Sequence, residues 1–121
     1  MEQHKPELIV MLTYNDHTVE NASQIFAQYH TARATYWGFK EKGIPFEEMK
    51  RLYAQMRAFG KTTVLEVVEY TERECLEGAK MAVACGCDIL MGTMFFDSVN
   101  DYCQKARLPS CPMLFPVPVP I

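Results

Sequence analysis

The hydrophobic pattern divides the chain into short apolar runs that recur at nearly constant spacing. Most of these runs are apolar throughout instead of alternating with polar residues, which is typical of strands covered on both faces, as in parallel sheets. Each run begins 25 to 28 residues after the one before it. The pattern therefore predicts five parallel strands, at residues 8–14, 34–39, 62–68, 88–92 and 113–117.

Four segments with helical periodicity lie between the predicted strands, and each begins or ends at residues that favour helix boundaries. Polar caps, a first-turn proline and terminal glycines are the signals used. The predicted boundaries are Asp16 or Thr18 to Tyr29, Pro45 to Gly60, Thr71 (with Glu72-Arg73-Glu74, a capping-box pattern) to Gly86, and Asp97 or Ser98 to about Arg107.

This βαβαβαβαβ order fits two folds for a single domain over residues 1–121. One is half of a (β/α)8 barrel, and the other is a flavodoxin-like, doubly wound sheet. Three features favour the half barrel: the chain ends near its fifth strand without a further helix, four prolines fall within residues 112–121, and the charged residues Lys40 and Glu66 lie in or beside strands. We predict an α/β half TIM barrel, (βα)4 plus a fifth strand, with the flavodoxin-like sheet as the alternative.

Composition and charge narrow the classes of partner. Hydrophobic residues make up 49% of the chain, the net charge is −3, and there is no basic stripe, so we predict no nucleic-acid partner. No apolar run has transmembrane length and no signal-peptide pattern opens the chain, so we predict a cytoplasmic protein without membrane association. Five cysteines favour reduced thiols, and the C-x-C motif at residues 85–87 does not have zinc-ligand spacing. We predict no metal and no cofactor.

Side-chain alternation along the predicted strands places the charged residues. A carboxylate buried under the helices without a partner is costly, so Glu66 is expected to face the barrel interior with Val64 and Val68. By the same argument Lys40 faces inward from the preceding strand. The active site of such a barrel lies at the C-terminal ends of its strands. The candidate catalytic residues there are Lys40 and Glu66, and the candidate substrate-binding residues are Asn15, Asp16, Glu69 and Thr93.

Lys40 and Glu66 fall on adjacent predicted strands, which leaves two interpretations open. The pair can act as an acid/base couple, or Lys40 can form a Schiff base with a carbonyl substrate. Alternatively, the two side chains form a buried ion pair that serves only the structure.

Four runs carry a family resemblance: Thr13-Tyr14-Asn15-Asp16, Tyr36-Trp37-Gly38-Phe39-Lys40, Leu65-Glu66-Val67-Val68 and Leu90-Met91-Gly92-Thr93. They resemble the N-terminal half of a bacterial TIM-barrel protein, of the type of the ribulose-phosphate-binding and aldolase-like barrels. The resemblance covers residues 8 to about 117, and the relatives it points to have no assigned reaction. It implies a lyase- or aldolase-like activity on a small oxo-acid or sugar phosphate.

Two patterns of those barrels are not found here. Orotidine-phosphate-type decarboxylases carry Asp-x-Lys-x-x-Asp on the third strand, where this chain has Glu66-Val67-Val68-Glu69. Phosphate is usually held at strands seven and eight of the full barrel, beyond the units present. Two other functions therefore stay open: a non-catalytic half barrel (a natural remnant or an engineered fragment), and a receiver-like phosphoacceptor domain with Asp16 and Thr93 at its strand ends.

A half barrel also predicts self-association. Its open sheet has two unpaired edges and an apolar inner face, which invite contact with another chain. We expect a homo-oligomer, in the simplest case a twofold dimer whose halves face each other.

Overall fold

The computed structural model describes residues 6–113, which form a five-stranded sheet, a small hairpin and four helices. The sheet strands are β1 (Ile9–Met11), β4 (Tyr36–Lys40), β5 (Thr62–Glu66), β6 (Ile89–Met94) and β7 (Ser110–Met113), and the hairpin strands are β2 (Thr13–Tyr14) and β3 (His17–Thr18). The helices are α1 (Ala22–Tyr29), α2 (Phe46–Ala58), α3 (Glu72–Cys85) and α4 (Asp97–Lys105).

The strand order distinguishes the two predicted folds. The sheet runs β1-β4-β5-β6-β7 with every pair parallel, so each strand lies beside the next sheet strand in the sequence. A flavodoxin-like sheet instead places its second strand outside its first. Since right-handed crossovers in a sequential sheet put every helix on the same face, the fold is the predicted (βα)4 half-barrel arrangement with a fifth strand.

The hydrophobic core lies between the sheet and the helices. The residues of β4 and β5 whose side chains face the helices are at most 1% exposed: Trp37, Phe39, Thr63 and Leu65. Tyr53 of α2 stacks on Phe39 with ring centroids 4.2 Å apart, and its hydroxyl donates a hydrogen bond of 2.8 Å to the Val64 carbonyl. The Tyr53 ring thus buries its apolar part while its hydroxyl stays hydrogen-bonded. This burial raises the pKa of Tyr53 well above its ordinary value.

The first helix begins later than the sequence predicts. Neither Asp16 nor Thr18 caps it, because both belong to a β-hairpin that precedes it, and α1 begins at Ala22. The predicted start of α3 is confirmed: the Thr71 hydroxyl accepts a hydrogen bond from the Glu74 backbone N–H and donates one to the Glu74 carboxylate.

The fifth strand begins three residues before the predicted run, at Ser110, and pairs with β6. The prediction for residues 114–117, and the proline-rich segment to which they belong, lie outside the described residues. All five cysteines are free thiols. Within residues 6–113 no helix combines the length and the apolar character that crossing a membrane requires.

The contact between α3 and the sheet allows a direct test of packing. A Cβ added at Gly78 would lie 2.5 Å from Val67 Cγ1. We expect Gly78→Ala to lower the free energy of unfolding, because overpacking costs about 1–3 kcal/mol and offsets the roughly 1 kcal/mol that alanine gains in a helix.

The matched variants are Val67→Ala and the double mutant, measured by urea denaturation. Removing the Val67 methyls makes room for the new Cβ, so the double mutant should lose less than the two single losses combined, by at least about 0.5 kcal/mol. Strict additivity would show that this contact does not limit the site.

Candidate functional site

A β-hairpin between β1 and α1 forms one wall of the candidate site. Thr13 pairs with Thr18 and Tyr14 with His17 in antiparallel register. The two residues between them, Asn15 and Asp16, have φ angles of 50° and 62°. Positive φ at both central positions is the requirement of a type I′ turn, and Asn and Asp tolerate it better than other non-glycine residues.

Thr18 fastens this hairpin to the C-terminal end of β4. Its hydroxyl donates a 2.8 Å hydrogen bond to the Lys40 carbonyl and accepts a 2.9 Å bond from the Lys40 N–H. Its own backbone N–H donates to the Lys42 carbonyl at 2.7 Å. Gly43 packs so closely on the Thr18 backbone, at φ +116°, that a side chain at this position would collide with it. The hairpin is therefore held against the strand end that carries Lys40.

Lys40 projects from the open face of the sheet, opposite the helices. It is 7% exposed, and its Nζ lies 3.5 Å from Asp16 Oδ1 at the tip of the hairpin. Its register partner on β5 is Glu66, so the predicted adjacency of the two residues is present in the sheet. Among residues 6–113, however, the carboxylate within ion-pair distance of the Lys40 amine is that of Asp16.

The side chains of Lys40, Asp16 and Glu66 line a cleft of about 530 Å³ above the C-terminal ends of β4 and β5. The Lys40 amine is thus a buried group at the edge of a space large enough for a small molecule. The residues that line the cleft are Asp16, His17, Lys40, Glu41, Lys42, Glu66, Val68 and Tyr70.

Negative charge predominates in this cleft. Asp16, Glu41 and Glu66 supply three carboxyl groups against the amines of Lys40 and Lys42. Lys42 is already engaged, since its Nζ lies 2.9 Å from Glu69 Oε1. That hydrogen-bonded ion pair holds the pKa of Glu69 below its ordinary value and raises the pKa of Lys42. The lining of the cleft therefore carries more carboxyl groups than amines.

Three predicted substrate-binding residues lie outside the cleft lining. Asn15 is exposed at the hairpin turn. Glu69 follows Glu66 by an odd number of positions and therefore lies on the other side of the chain. It lines a second cleft of about 280 Å³ that Lys42 also borders. Thr93 is 1% exposed and lines a small cavity near α4, because β6 is irregular at Gly92 (φ +92°), where the register with β7 shifts. Of the four, only Asp16 reaches the cleft that contains Lys40 and Glu66.

Glu41 is a cleft residue that the sequence reasoning did not single out. Its Oε2 is buried without a hydrogen-bond partner among the described residues, and burial is the main cause that raises the pKa of this carboxyl. Unpaired buried polar atoms are rare in folded proteins and call for an explanation. A desolvated carboxyl beside a cleft is poised to exchange a proton with a bound molecule.

The chain has no match among the protein-family models or the curated proteins to which it was compared. Across residues 6–113, no three His, Cys, Asp or Glu side chains are grouped in a way that could hold a metal ion.

The raised pKa of Glu41 predicts a pH-dependent effect on stability. Between the ordinary pKa of a glutamate and the raised pKa in the folded protein, the folded state binds more protons than the unfolded state. The free energy of unfolding therefore falls as pH rises through this window. Glu41→Gln removes the ionisation, so the variant should be more stable than the wild type at pH 7, with the difference shrinking as pH falls below the ordinary glutamate pKa.

Urea denaturation from pH 3.5 to 8 measures this difference, and Glu47→Gln on the exposed first turn of α2 is the matched control. A constant difference between Glu41→Gln and wild type across that range would contradict the prediction.

Proposed function

We propose that the cleft is a lyase- or aldolase-like carbonyl site in which Lys40 is the nucleophile and Glu66 transfers protons. The observation that carries the proposal is the position of the Lys40 amine, buried on the open face at the C-terminal edge of the sheet, beside a cleft that the side chain of its strand partner Glu66 also lines. A fixed amine and a nearby carboxylate are the groups that Schiff-base chemistry requires.

The proposed reaction uses only these two groups and water. The unprotonated Lys40 amine adds to the carbonyl carbon, and loss of water from the carbinolamine gives an iminium ion. The Glu66 carboxylate then takes the proton of a β-hydroxyl group, the bond between the α- and β-carbons breaks, and its electron pair moves toward the iminium nitrogen to give an enamine. Protonation of the enamine carbon by Glu66, followed by hydrolysis, releases the second product and restores the amine.

The charge of the cleft favours a neutral aldehyde or ketone as substrate. An oxo-acid or sugar phosphate, which the family resemblance implies, would approach Asp16, Glu41 and Glu66 with Lys42 already bound to Glu69. The two alternatives have less support. Asp16 has an exposed side chain, so solvent screens its ion pair with the buried Lys40, which is weak support for a purely structural role of Lys40. A receiver-like phosphoacceptor requires a doubly wound sheet, whereas the strand order here is sequential.

Location in the cytoplasm is part of this proposal. The five cysteines, four of them buried and all of them free, suit a reducing compartment.

Reductive trapping tests the role of Lys40. The chain is incubated with dihydroxyacetone or glycolaldehyde in the presence of cyanoborohydride, with pyruvate as the anionic comparison, and the adduct is located by peptide mass spectrometry. We expect one adduct per chain, on Lys40, formed faster with the neutral carbonyls. Lys40→Met should reduce trapping to background, whereas Lys80→Met, at an exposed position of α3, should leave it unchanged.

Glu66→Gln separates binding from proton transfer. This variant should still form the adduct, but should exchange the α-hydrogens of dihydroxyacetone for deuterium in D₂O on the order of 100-fold more slowly, as followed by NMR. Adducts spread over surface lysines, and equally abundant in Lys40→Met, would refute the proposal.

We also propose that two copies of the chain associate through the open face of the sheet. That face holds an apolar groove of about 130 Å³, to which Ile9, Tyr36, Val64, Ile89 and Met91 contribute. Every pairing within the five-stranded sheet is parallel, and a twofold axis along its strands keeps the sheet strands of both copies parallel. The edge of β7 in one copy then faces the edge of β1 in the other in the orientation that sheet pairing requires.

Size-exclusion chromatography with light scattering at micromolar concentration tests the association, with an expected mass of twice 13.9 kDa. Ile89→Glu, on the open face, should give a monomer. Val83→Glu, on α3 and 39% exposed, should leave the dimer intact. A wild-type chain that elutes as a monomer would rule out the association.

A further inference from the structure

A second reactive group lies at the opposite end of the sheet, in the segment that joins α3 to β6. Cys85 is the last residue of α3, Gly86 ends the helix in the left-handed conformation (φ 79°, ψ 30°), and Cys87 comes shortly before β6. The segment therefore lies at the N-terminal ends of the strands, away from the Lys40 cleft, and the proposed carbonyl chemistry does not use it.

The geometry of Cys85-Gly86-Cys87 brings the two thiols together. Two residues of chain span at most about 7 Å between the outer Cα atoms, and the left-handed Gly86 turns the chain back. Disulfides form over Cα separations of about 4.4–6.8 Å. The two thiols are close enough to shift each other's pKa, and each also lies 3.5 Å from a backbone carbonyl oxygen.

The guanidinium of Arg57 lies against this turn. Its Nη1 donates a hydrogen bond of 2.6 Å to the Gly86 carbonyl, and its nitrogens are the atoms that a Cβ at Gly86 would meet, at 3.6 and 3.7 Å. A fixed positive charge next to a thiol favours the thiolate, which is the reactive form. No other cysteine of the chain shares a turn with a second thiol.

The surroundings shift the pKa values of the two thiols in opposite directions. Its hydrogen bond with Cys87 is the largest cause that lowers the pKa of Cys85, and Arg57 adds to the effect. The same hydrogen bond, together with burial, raises the pKa of Cys87 far above the ordinary thiol value. By contrast, burial raises the pKa of both Cys75 and Cys103. The lowered pKa marks Cys85 as the thiol that attacks first, and Cys87 can attack in turn once its hydrogen bond with Cys85 is gone.

We propose that Cys85 and Cys87 are a redox-active dithiol that low-molecular-weight disulfides oxidise to an intrachain disulfide. The Cys85 thiolate attacks one sulfur of the small disulfide, which forms a mixed disulfide and releases one small thiolate. Cys87 then loses its proton and attacks the Cys85 sulfur, which closes the protein disulfide and releases the second small thiolate. The small disulfide is reduced by two electrons and the dithiol is oxidised by two, with no other reactant.

Burial sets the class of oxidant. Cys85 is 5% exposed and Cys87 is 8% exposed, so a bulky aromatic disulfide has little access while a small aliphatic one needs only a limited opening of the helix end. Cys111, which is exposed on β7 and borders the open-face groove, should react with both kinds of reagent in the monomeric Ile89→Glu variant, which provides the reference for accessibility.

The experiment treats the folded chain with bis(2-hydroxyethyl) disulfide and then cleaves it at methionine with cyanogen bromide. Cleavage at Met81 and Met91 isolates residues 82–91, which contain Cys85 and Cys87 and no other cysteine. We expect this fragment to lose two hydrogens in mass and to recover them on reduction. Cys87→Ser should stop at the mixed disulfide on Cys85, Cys85→Ser should react at least tenfold more slowly, and Arg57→Gln should slow the first step several-fold.

The wild-type fragment decides the proposal even if a variant fails to fold. A fragment that keeps both hydrogens while Cys111 reacts would overturn it, as would oxidation that occurs only in urea. Equal rates of attack at Cys85 and Cys87 in the two serine variants would contradict the assigned roles.

Discussion

The alternation of side chains along parallel strands in sequential order determines where every group of this molecule lies. One parity of β4 and β5 holds Trp37, Phe39 and Leu65 against the helices, and the other turns Lys40 and Glu66 to the open face. The register between β4 and β5 then places the polar residues Lys40 and Glu66 side by side, even though their side chains need not be in contact. A slip of one residue would exchange the two sets and bury both charges in the core.

The sequence predicted this alternation well and irregular backbone poorly. The apolar runs and helix boundaries located the sheet and α2 to α4, and the cost of burying a carboxylate placed Glu66 correctly on the open face. The hairpin was missed, although Asn15-Asp16 between β-branched and aromatic residues is a turn signal. Thr93 lies apart from the Lys40 cleft, next to Gly92, where the register between β6 and β7 shifts, and local sequence does not encode that register.

The two proposed sites lie at opposite ends of the five-stranded sheet and the helices packed on it. The carbonyl cleft uses the C-terminal edge, where strand ends and a fastened hairpin hold polar groups out of the core. The thiol pair uses the N-terminal edge, where the left-handed end of α3 leaves two sulfurs adjacent. Residues of α3 border the second cleft, which Lys42 and Glu69 also line, and the last residue of the helix is Cys85, so α3 runs from that cleft to the thiol pair.

The way in which Thr18 holds the hairpin has a consequence for how this cleft can change. The attachment uses one hydroxyl and backbone groups, while the side chain that pairs with the amine, that of Asp16, comes from the turn. Replacing Asp16 therefore alters what lies against the Lys40 amine without removing the hydrogen bonds by which Thr18 holds the hairpin to β4. Substitutions in the hairpin turn therefore allow evolution or an engineer to change ligand preference independently of the stability of the scaffold.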